Sequence, residues 1–218
     1  MESGAGKRGR LKKKSGILYL IADLNQGEEA LCKALAAGVD LVQLREKEIS
    51  SAEYLRRAKR VRELADSYDT LFLVNDRLDI ALLSGADGVH LGPEDIPIRD
   101  ARRLFPQGII GATARTREQA GRAWQEGADY LGSGAWFPTG TKADAVPISP
   151  DTYREILDAA PIPNVAVGGI TLENGHTPLA WGAQGLAVSA GILRTADAGE
   201  AVKGFRRMLE ERKDSNPI

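Results

Sequence analysis

The sequence predicts a (β/α)8 barrel, because short apolar runs alternate with amphipathic stretches and a short motif recurs before every second run. Eight runs have the length of buried strands, and they begin at Ile17, Leu41, Leu71, Gly88, Ile109, Tyr130, Asn164 and Gly185. Strands that alternate with helices pair in parallel through right-handed crossovers. A chain of 218 residues with 43% apolar content suits one such domain.

Three of the stretches between the runs are clear helix candidates. Residues 51–68, 117–127 and 201–213 each combine an apolar stripe with a charged face. The recurring motif reads AGVDLVQL, SGADGVHL, EGADYLGS and WGAQGLAV, and it precedes the second, fourth, sixth and eighth runs. In each copy a glycine stands where a helix would end in the left-handed conformation. This fourfold regularity favours a closed eight-stranded barrel over an open doubly wound sheet.

The two ends of the chain differ from the barrel region. Residues 1–16 are basic and glycine-rich without periodicity, so we expect a solvated tail outside the fold. The barrel domain is then expected over 17–213, with a C-terminal tail at 214–218.

Composition excludes several classes of protein. A formal net charge of -1 gives no general field for nucleic acid or membrane, so partners should be small molecules caught by local cations. Cys32 is the only cysteine, which excludes an internal disulfide and fits a reducing compartment. No apolar run approaches a membrane span. We therefore expect a cytoplasmic protein, and the sequence leaves a homo-oligomer open.

In this fold, chemistry gathers at the C-terminal ends of the strands. Gln43, Arg45 and Lys47 alternate after the second run, so an extended backbone would point all three the same way. A charged segment of this kind is more often a solvated loop. An amide and two cations at a barrel mouth would nevertheless form an anion site.

Two acids follow neighbouring runs. Asp76 comes after the third run beside Asn75, and Asp95 follows the fourth. A helix cap is the commonest role for such a residue taken singly. Because the two strands are neighbours in a barrel, the pair could instead share Mg²⁺, which typically takes one or two carboxylates and leaves its other positions to water and substrate phosphate. His90 is expected to be a satisfied core histidine, and His176 an exposed helix residue.

The longest loop, 132–149, follows the sixth run and contains Lys142, which would be a third cation if the loop covers the mouth. A surface turn is the alternative. The segments after the seventh and eighth runs fit the phosphate cradle of this fold through Gly168, Gly169, Ser189, Ala190 and Gly191. A diphosphate held by metal and cations is a leaving group, so two phosphorylated substrates joined with loss of diphosphate are the implied reaction.

At these residues the sequence resembles the thiamine phosphate synthase family, from about Ile17 to the last helix. The likeness is carried by VQLREK, VNDRLDIALLSGADGVHLGPED, FPTGTK and VGGITLEN in this order. It implies a transferase that couples hydroxymethylpyrimidine diphosphate with thiazole phosphate carboxylate, giving thiamine phosphate, diphosphate and CO2. It also implies a dissociative mechanism with one Mg²⁺ per subunit.

The resemblance assigns roles by position. The pyrimidine diphosphate would be held by Gln43, Leu44, Arg45, Glu46, Lys47, Asn75, Thr113 and Lys142, of which Arg45, Lys47 and Lys142 would be catalytic. Asp76 and Asp95 would bind the metal. The thiazole phosphate would be held by Thr139, Gly140, Thr141, Gly169, Ser189 and Ala190.

Four positions depart from the family pattern. Thr113 stands where serine is common, Arg115 where histidine is frequent, and VSAGI replaces a more usual VVSAI. Trp136 is bulky for its loop, which raises the question whether it alters the thiazole that is accepted.

Two alternatives remain open. A thiazole tautomerase on the same barrel uses a histidine in the strand-six loop, and here that stretch reads Ser133, Gly134, Ala135, which disfavours this activity. A non-catalytic regulator that binds a phosphorylated ligand would not need three cations and two acids.

Overall fold

The chain folds into a closed barrel of eight parallel strands, in which each strand pairs with the next and the last pairs with the first. The computed structural model describes residues 4–14, 16–138 and 147–215. The strands are β1 (Ile17–Ala22), β2 (Leu41–Leu44), β3 (Leu71–Asn75), β4 (Gly88–Leu91), β5 (Ile109–Thr113), β6 (Tyr130–Ser133), β7 (Asn164–Val167) and β8 (Gly185–Val188). The predicted (β/α)8 fold class is confirmed.

Most of the helices connect successive strands on the outside of the barrel, whereas the first precedes β1 and the last two follow β8. The helices are α1 (Gly4–Lys13), α2 (Glu28–Ala36), α3 (Ser51–Ser67), α4 (Leu78–Ser84), α5 (Ile98–Leu104), α6 (Arg117–Gln125), α7 (Pro150–Ala159), α8 (His176–Ala180), α9 (Ala190–Leu193) and α10 (Ala198–Ser215). Ser50 caps α3 by accepting a hydrogen bond from the Glu53 N–H, and Thr116 caps α6 in the same way with Gln119. Among these described helices, none is both long and apolar enough to cross a membrane.

Alternation along the strands separates two cores. In β2, Val42 and Leu44 face the helices and join the large outer core, whereas Leu41 faces the barrel interior. The interior core contains Tyr19 and Tyr130 among aliphatic side chains from six of the strands. The interior between the strands is therefore packed with side chains.

The four copies of the repeated motif end helices as the sequence predicts. Their glycines all have positive φ angles: 97° at Gly38, 68° at Gly85, 100° at Gly127 and 100° at Gly182. The polar residue two positions further on accepts a hydrogen bond from a strand backbone N–H in each copy: Asp40 from Leu18, Asp87 from Phe72, Asp129 from Ile110 and Gln184 from Asn164. The repeat thus ties neighbouring strands together at their N-terminal ends.

The expectation of a tail outside the fold over 1–16 is contradicted for residues 4–13, which form α1. Leu11 is buried in the interior core of the barrel. The basic side chains pair with the acids of the repeated motif: Lys7 with Asp87 at 2.6 Å, Arg8 with Asp129 at 2.9 Å, and Lys14 with Asp40. The charge that suggested a solvated tail is instead the counter-charge of three buried carboxylates at the N-terminal ends of the strands.

Asp129→Asn is expected to destabilise the protein by about 3–5 kcal/mol, because removing one partner of a buried ion pair leaves the other charge uncompensated. The Asp129 side chain is 0% exposed and lies 2.6 Å from Arg102 and 2.9 Å from Arg8. For a chain of this size, the midpoint of thermal unfolding should fall by roughly 10 °C. The same change at Asp158, an exposed acid of α7, is the matched control and should have little effect.

The effect of Asp129→Asn should depend on pH. Burial raises the pKa of Asp129, but Arg8, the Ile110 N–H and Arg102 together hold it below its usual range. Because the folded pKa lies below the unfolded value of about 3.9, the stabilisation is complete above that pH and is lost as the pH falls through the folded pKa. The stability gap between parent and variant should therefore narrow below about pH 4, and a gap that stays constant would contradict this assignment.

Candidate active site

A cavity of about 350 Å³ opens at the C-terminal ends of the strands. Seven of the residues that the family resemblance assigns to the substrates line it: Gln43, Arg45, Asn75, Thr113, Gly169, Ser189 and Ala190. They come from β2, β3, β5 and the segments after β2, β7 and β8, which only barrel closure brings to one place.

The end of β2 divides its side chains between the cavity and the protein interior. Gln43 and Arg45 line the cavity. Leu44 packs in the outer core instead. Glu46 faces away from the cavity, where its buried carboxylate accepts from Arg57 at 2.9 Å and from the Leu24 N–H at 3.0 Å. For Leu44 and Glu46, the structure therefore does not bring the side chains to the site, and only their backbone groups remain for a ligand.

Asp76 and Asp95 come into contact beside the end of β3. Neither lines the cavity, although Asn75, the neighbour of Asp76, does. Burial and a hydrogen-bonding contact with Asp95 raise the pKa of Asp76 to about 6, while Arg45 and Lys47 act in the opposite direction. Asp95 is fixed by the Gly92 N–H, which donates to its Oδ2 at 2.6 Å. The exposed Lys47 and the half-buried Arg45 are therefore close enough to this acid pair to act on its charge.

The backbone holds Asp76 in an uncommon conformation. Its φ angle is +63°, a left-handed value that Asp and Asn adopt more readily than most other residues. Its N–H donates to the His90 carbonyl at 2.9 Å, and this bond extends the pairing of β3 with β4. Tyr54 donates to the carbonyls of Leu44 at 2.8 Å and Asn75 at 3.1 Å. These bonds fix the ends of β2 and β3 relative to each other.

The acid pair suits a hard divalent cation. Two carboxylates in contact, one with a raised pKa, are oxygen donors whose mutual repulsion a bound cation would relieve. Within the described ranges, no group of three or more acids, histidines or cysteines is placed to hold a metal. The pair thus matches a magnesium site that is completed by water and substrate oxygens.

Glycines after β7 allow a close approach of two loops. Gly168 and Gly169 have φ angles of +101° and +66°. A Cβ atom at Gly169 would lie 2.6 Å from the Pro138 carbonyl oxygen, and one at Gly168 would lie 2.7 Å from Ala135. The Phe137 N–H donates to the Gly168 carbonyl at 3.1 Å. The loop after β6 therefore packs directly on the loop after β7, beside Ser189 and Ala190 on the wall of the cavity.

Part of the predicted site lies outside the described residues, namely Thr139, Gly140, Thr141 and Lys142. Trp136 is described, and it does not line the cavity. It packs in the outer core with its ring 4.8 Å from the ring of Tyr153 in an edge contact. The size of Trp136 is thus accommodated behind the cavity wall.

His176 lies as the sequence predicts, whereas His90 is satisfied but half-buried and lines the cavity rather than the core. His176 is exposed at the start of α8. His90 is bonded through both ring nitrogens, to the Tyr130 hydroxyl at 2.9 Å and to the Thr113 hydroxyl at 3.0 Å.

Sequence reasoning missed Tyr19, which also lines the cavity. Strand alternation would have turned Tyr19 inward, but its hydroxyl partners come from other strands. Arg115, which the sequence singles out as a departure from the family pattern, lines the cavity as well and is in phase with Thr113.

Known proteins are similar to this chain over most of its length. The model of the thiamine monophosphate synthase family matches residues 18–192. Thiamine-phosphate synthase of Pyrococcus horikoshii is 44% identical over 196 residues, which are 89% of this chain and 95% of that protein. Thiamine-phosphate synthase of Clostridioides difficile is 41% identical over 192 residues, covering 85% of this chain and 91% of that protein.

Solved structures agree with these sequence similarities. Thiamine phosphate pyrophosphorylase from Pyrococcus furiosus superimposes with a TM-score of 0.84 at 39% identity, covering 94% of this chain and 98% of that one. The structure of 3-hexulose-6-phosphate synthase shares only the fold, with a TM-score of 0.67 at 15% identity. The relatives confirm the expected transferase class, and the chain belongs to the thiamine monophosphate synthase family.

Proposed function

We propose that this protein couples 4-amino-2-methyl-5-hydroxymethylpyrimidine diphosphate with thiazole phosphate carboxylate, giving thiamine phosphate, diphosphate and CO2. The observation that carries the proposal is the arrangement of charge around one cavity. Arg45 lines the cavity, and both Arg45 and Lys47 act on the charge of the adjacent acid pair. The glycine loops after β7 and β8 line the same cavity, so it has a charged group beside it and a backbone-lined wall.

The charged side would hold the diphosphate. Arg45 presents a planar fork of N–H donors, which suits paired phosphate oxygens, and Lys47 adds a second positive charge. Asp76 and Asp95 would hold Mg²⁺, which when bound supplies additional positive charge for the diphosphate oxygens. These cationic contacts strengthen as charge grows on the departing oxygens, so they stabilise the transition state more than the bound substrate.

The mechanism that fits this arrangement is dissociative. The bond between the pyrimidine methylene carbon and the diphosphate oxygen breaks first, and its electron pair leaves with the diphosphate. The thiazole nitrogen then captures the methylene cation with its lone pair, the carboxylate leaves as CO2, and the carbon that it leaves takes a proton. For these reaction steps the protein needs groups that stabilise the departing diphosphate and a cavity that encloses the cation, rather than a nucleophile.

The backbone-lined side would hold the thiazole phosphate. Gly169, Ser189 and Ala190 line this part of the cavity, and their backbone N–H groups are suitable donors for a phosphate monoester. Thr139, Gly140, Thr141 and Lys142 belong to this proposal through the family resemblance alone. We also propose a cytoplasmic location, which the single cysteine favours.

The decisive experiment incubates the protein with both substrates and Mg²⁺ and measures released diphosphate. We expect one equivalent of diphosphate for each thiamine phosphate formed, and neither product without the metal. Tight binding of either substrate with no diphosphate at any concentration would favour a non-catalytic regulator. Conversion of the thiazole phosphate carboxylate alone, in the absence of the pyrimidine ester, would favour a tautomerase.

A further inference from the structure

Polar side chains inside the barrel form a continuous hydrogen-bonded chain next to the cavity, and its inner members Tyr19 and His90 line the cavity as its ends do. The Gln43 amide nitrogen Nε2 donates to the Tyr19 hydroxyl at 2.6 Å, and this hydroxyl lies 2.8 Å from that of Tyr130. The Tyr130 hydroxyl lies 2.9 Å from His90 Nδ1, and His90 Nε2 lies 3.0 Å from the Thr113 hydroxyl. We call this set the Gln43–Thr113 chain. Gln43 and Thr113 are its two ends, and both line the cavity.

The hydrogen bonds of the Gln43–Thr113 chain all donate in the same direction, from Gln43 towards Thr113. Because Gln43 Nε2 is a donor, the Tyr19 oxygen accepts at that contact, and the Tyr19 proton is left for the Tyr130 oxygen. In the opposite arrangement the Tyr19 proton would have no acceptor among the described residues. Tyr19 is only 1% exposed, and an unpaired donor in such a position is costly.

The remaining hydrogen bonds, from Tyr130 to His90 and from His90 to Thr113, donate in the same direction. Tyr130 accepts from Tyr19 and has one proton of its own, which it donates to His90 Nδ1. A neutral imidazole that accepts at Nδ1 carries its hydrogen on Nε2, and this hydrogen is donated to the Thr113 oxygen. Burial raises the pKa of both phenols, so both keep their protons at neutral pH.

The side chains of Tyr130 and His90 fit because glycines, Gly111 and Gly132, lie next to them. A Cβ atom at Gly111 would lie 2.3 Å from the Tyr130 hydroxyl oxygen, and one at Gly132 would lie 3.1 Å from His90 Cε1. The rings of Tyr19 and Tyr130 meet edge to face with their centroids 5.8 Å apart. The interior thus holds the phenols and the imidazole in one arrangement.

We propose that the Gln43–Thr113 chain fixes the polarity of the hydrogen-bonding groups at its two ends and thereby selects a 4-aminopyrimidine over its 4-oxo analogue. With its nitrogen committed to Tyr19, Gln43 presents the amide oxygen, an acceptor, to the cavity. Thr113 accepts from His90 and presents its hydroxyl proton, a donor. Tyr19, Tyr130 and His90 are positioning residues. This inference rests on the proposed function for the identity of the ligand.

The chemistry of the ring matches this polarity. A 4-aminopyrimidine carries N–H donors on its exocyclic amine and acceptors at its ring nitrogens, so it complements an amide oxygen and a hydroxyl proton. The 4-oxo analogue replaces the amine with an acceptor and carries a hydrogen on a ring nitrogen, so both contacts become repulsive. Sites built to hydrogen-bond one ring pattern reject the mismatched ring strongly, because buried polar groups are left unpaired.

The test compares the binding of the 4-amino and 4-oxo pyrimidine diphosphate esters by calorimetry, with Mg²⁺ and without the thiazole. The parent protein should prefer the amino ester. Tyr130→Phe keeps the ring but interrupts the chain, so the Gln43 amide is no longer held in one orientation. We expect the preference to fall by at least about 10-fold, the loss of one hydrogen bond to a buried group, mainly through weaker binding of the amino ester.

Tyr153→Phe is the matched control. Tyr153 is as fully buried as Tyr130, and its hydroxyl donates to Asn164 Oδ1 at 3.0 Å, outside the chain. It should leave the amino-to-oxo preference unchanged even if it lowers stability. Should Tyr130→Phe fail to fold, Tyr19→Phe interrupts the chain one contact earlier and should have the same effect on the preference.

Three results would overturn the inference: an unchanged preference in a folded Tyr130→Phe or Tyr19→Phe variant, an equal loss in Tyr153→Phe, or a parent protein that prefers the oxo ester. The last result would mean that the amide nitrogen of Gln43 faces the cavity. Binding is measured without the thiazole, so a protein that selects the amino ester but releases no diphosphate would refute the proposed function and leave this inference standing.

Discussion

Asp76→Asn should reduce magnesium-dependent turnover by roughly 1000-fold, the effect of several kcal/mol of lost electrostatic stabilisation. In the absence of magnesium, the same variant should be more stable than the parent protein. The two effects have one cause. Two carboxylates in contact repel each other when both are ionised, and the proposed cation would relieve this repulsion.

The sign of the stability effect follows from the raised pKa. The pKa of Asp76 is about 6 because of burial and contact with Asp95, whereas it is near about 3.9 in an unfolded chain. A raised folded pKa means that the ionised acid destabilises the fold above pH 6. Asparagine removes the charge and tolerates the φ angle of +63° at this position, which alanine would not. Without magnesium at neutral pH, the midpoint of thermal unfolding should rise by about 2–4 °C, or roughly 1 kcal/mol.

Asp79→Asn is the control for this pair of measurements. Asp79 is exposed and bonded to Arg77 at 2.6 Å, and this partner lowers the pKa of Asp79. The same substitution there should leave turnover intact and should not raise the unfolding temperature. Asp95→Asn should reproduce the loss of turnover seen with Asp76→Asn. Near-normal turnover in either variant of the acid pair, or a lower unfolding temperature for Asp76→Asn without magnesium, would show that the pair is not a metal site.

Arg45→Ala should reduce kcat/KM for the pyrimidine diphosphate by about 100-fold or more, with most of the loss in kcat, because the guanidinium is expected to act on charge that develops in the transition state. Arg45 is the cation of the β2 end that lines the cavity, and it already acts on the charge of Asp76. The KM for the thiazole phosphate should change little, since the site proposed for it lies at the ends of β7 and β8.

Arg45→Lys separates charge from geometry. Lysine keeps the positive charge but loses the planar fork, so its activity should fall between those of the parent and the alanine variant. Arg117→Ala removes an exposed arginine at the start of α6 and should have no effect on either kinetic constant. A loss confined to KM, with kcat unchanged, would assign Arg45 to ground-state binding alone.

The barrel itself was predictable because its causes are local in the sequence. Each strand is a short apolar run, each repeat glycine has the positive φ angle that its position requires, and Ser50 and Thr116 cap their helices through neighbours three residues away. The fold class then follows from the order of these elements and the handedness of their connections.

The basic N-terminal segment was not predictable in this way. Composition alone indicates a solvated tail, and the segment lacks an apolar stripe of its own. The acids that it pairs with, Asp40, Asp87 and Asp129, lie in three separate copies of the repeat. Only closure of the barrel gathers these carboxylates at one end, where burial makes a nearby positive charge stabilising.

The candidate site likewise has some features that the sequence predicts and others that only the fold decides. The residue types at the strand ends, the two acids and the glycine loops are visible in the sequence, and alternation correctly turns Gln43 and Arg45 inward. The same alternation turns Leu44 and Glu46 outward, against their assignment by resemblance. The sequence could not show that Glu46 meets Arg57 there, or that Trp136 lies behind the wall.

By itself, then, the sequence determined the barrel, the family and the kinds of side chain at the mouth, since these depend on local pattern. The tertiary structure decided which of those side chains share a cavity and how they act on one another. The raised pKa of Asp76 and the Gln43–Thr113 chain both join residues from different strands. Such effects depend on distances of a few ångströms in space, which separation along the chain does not specify.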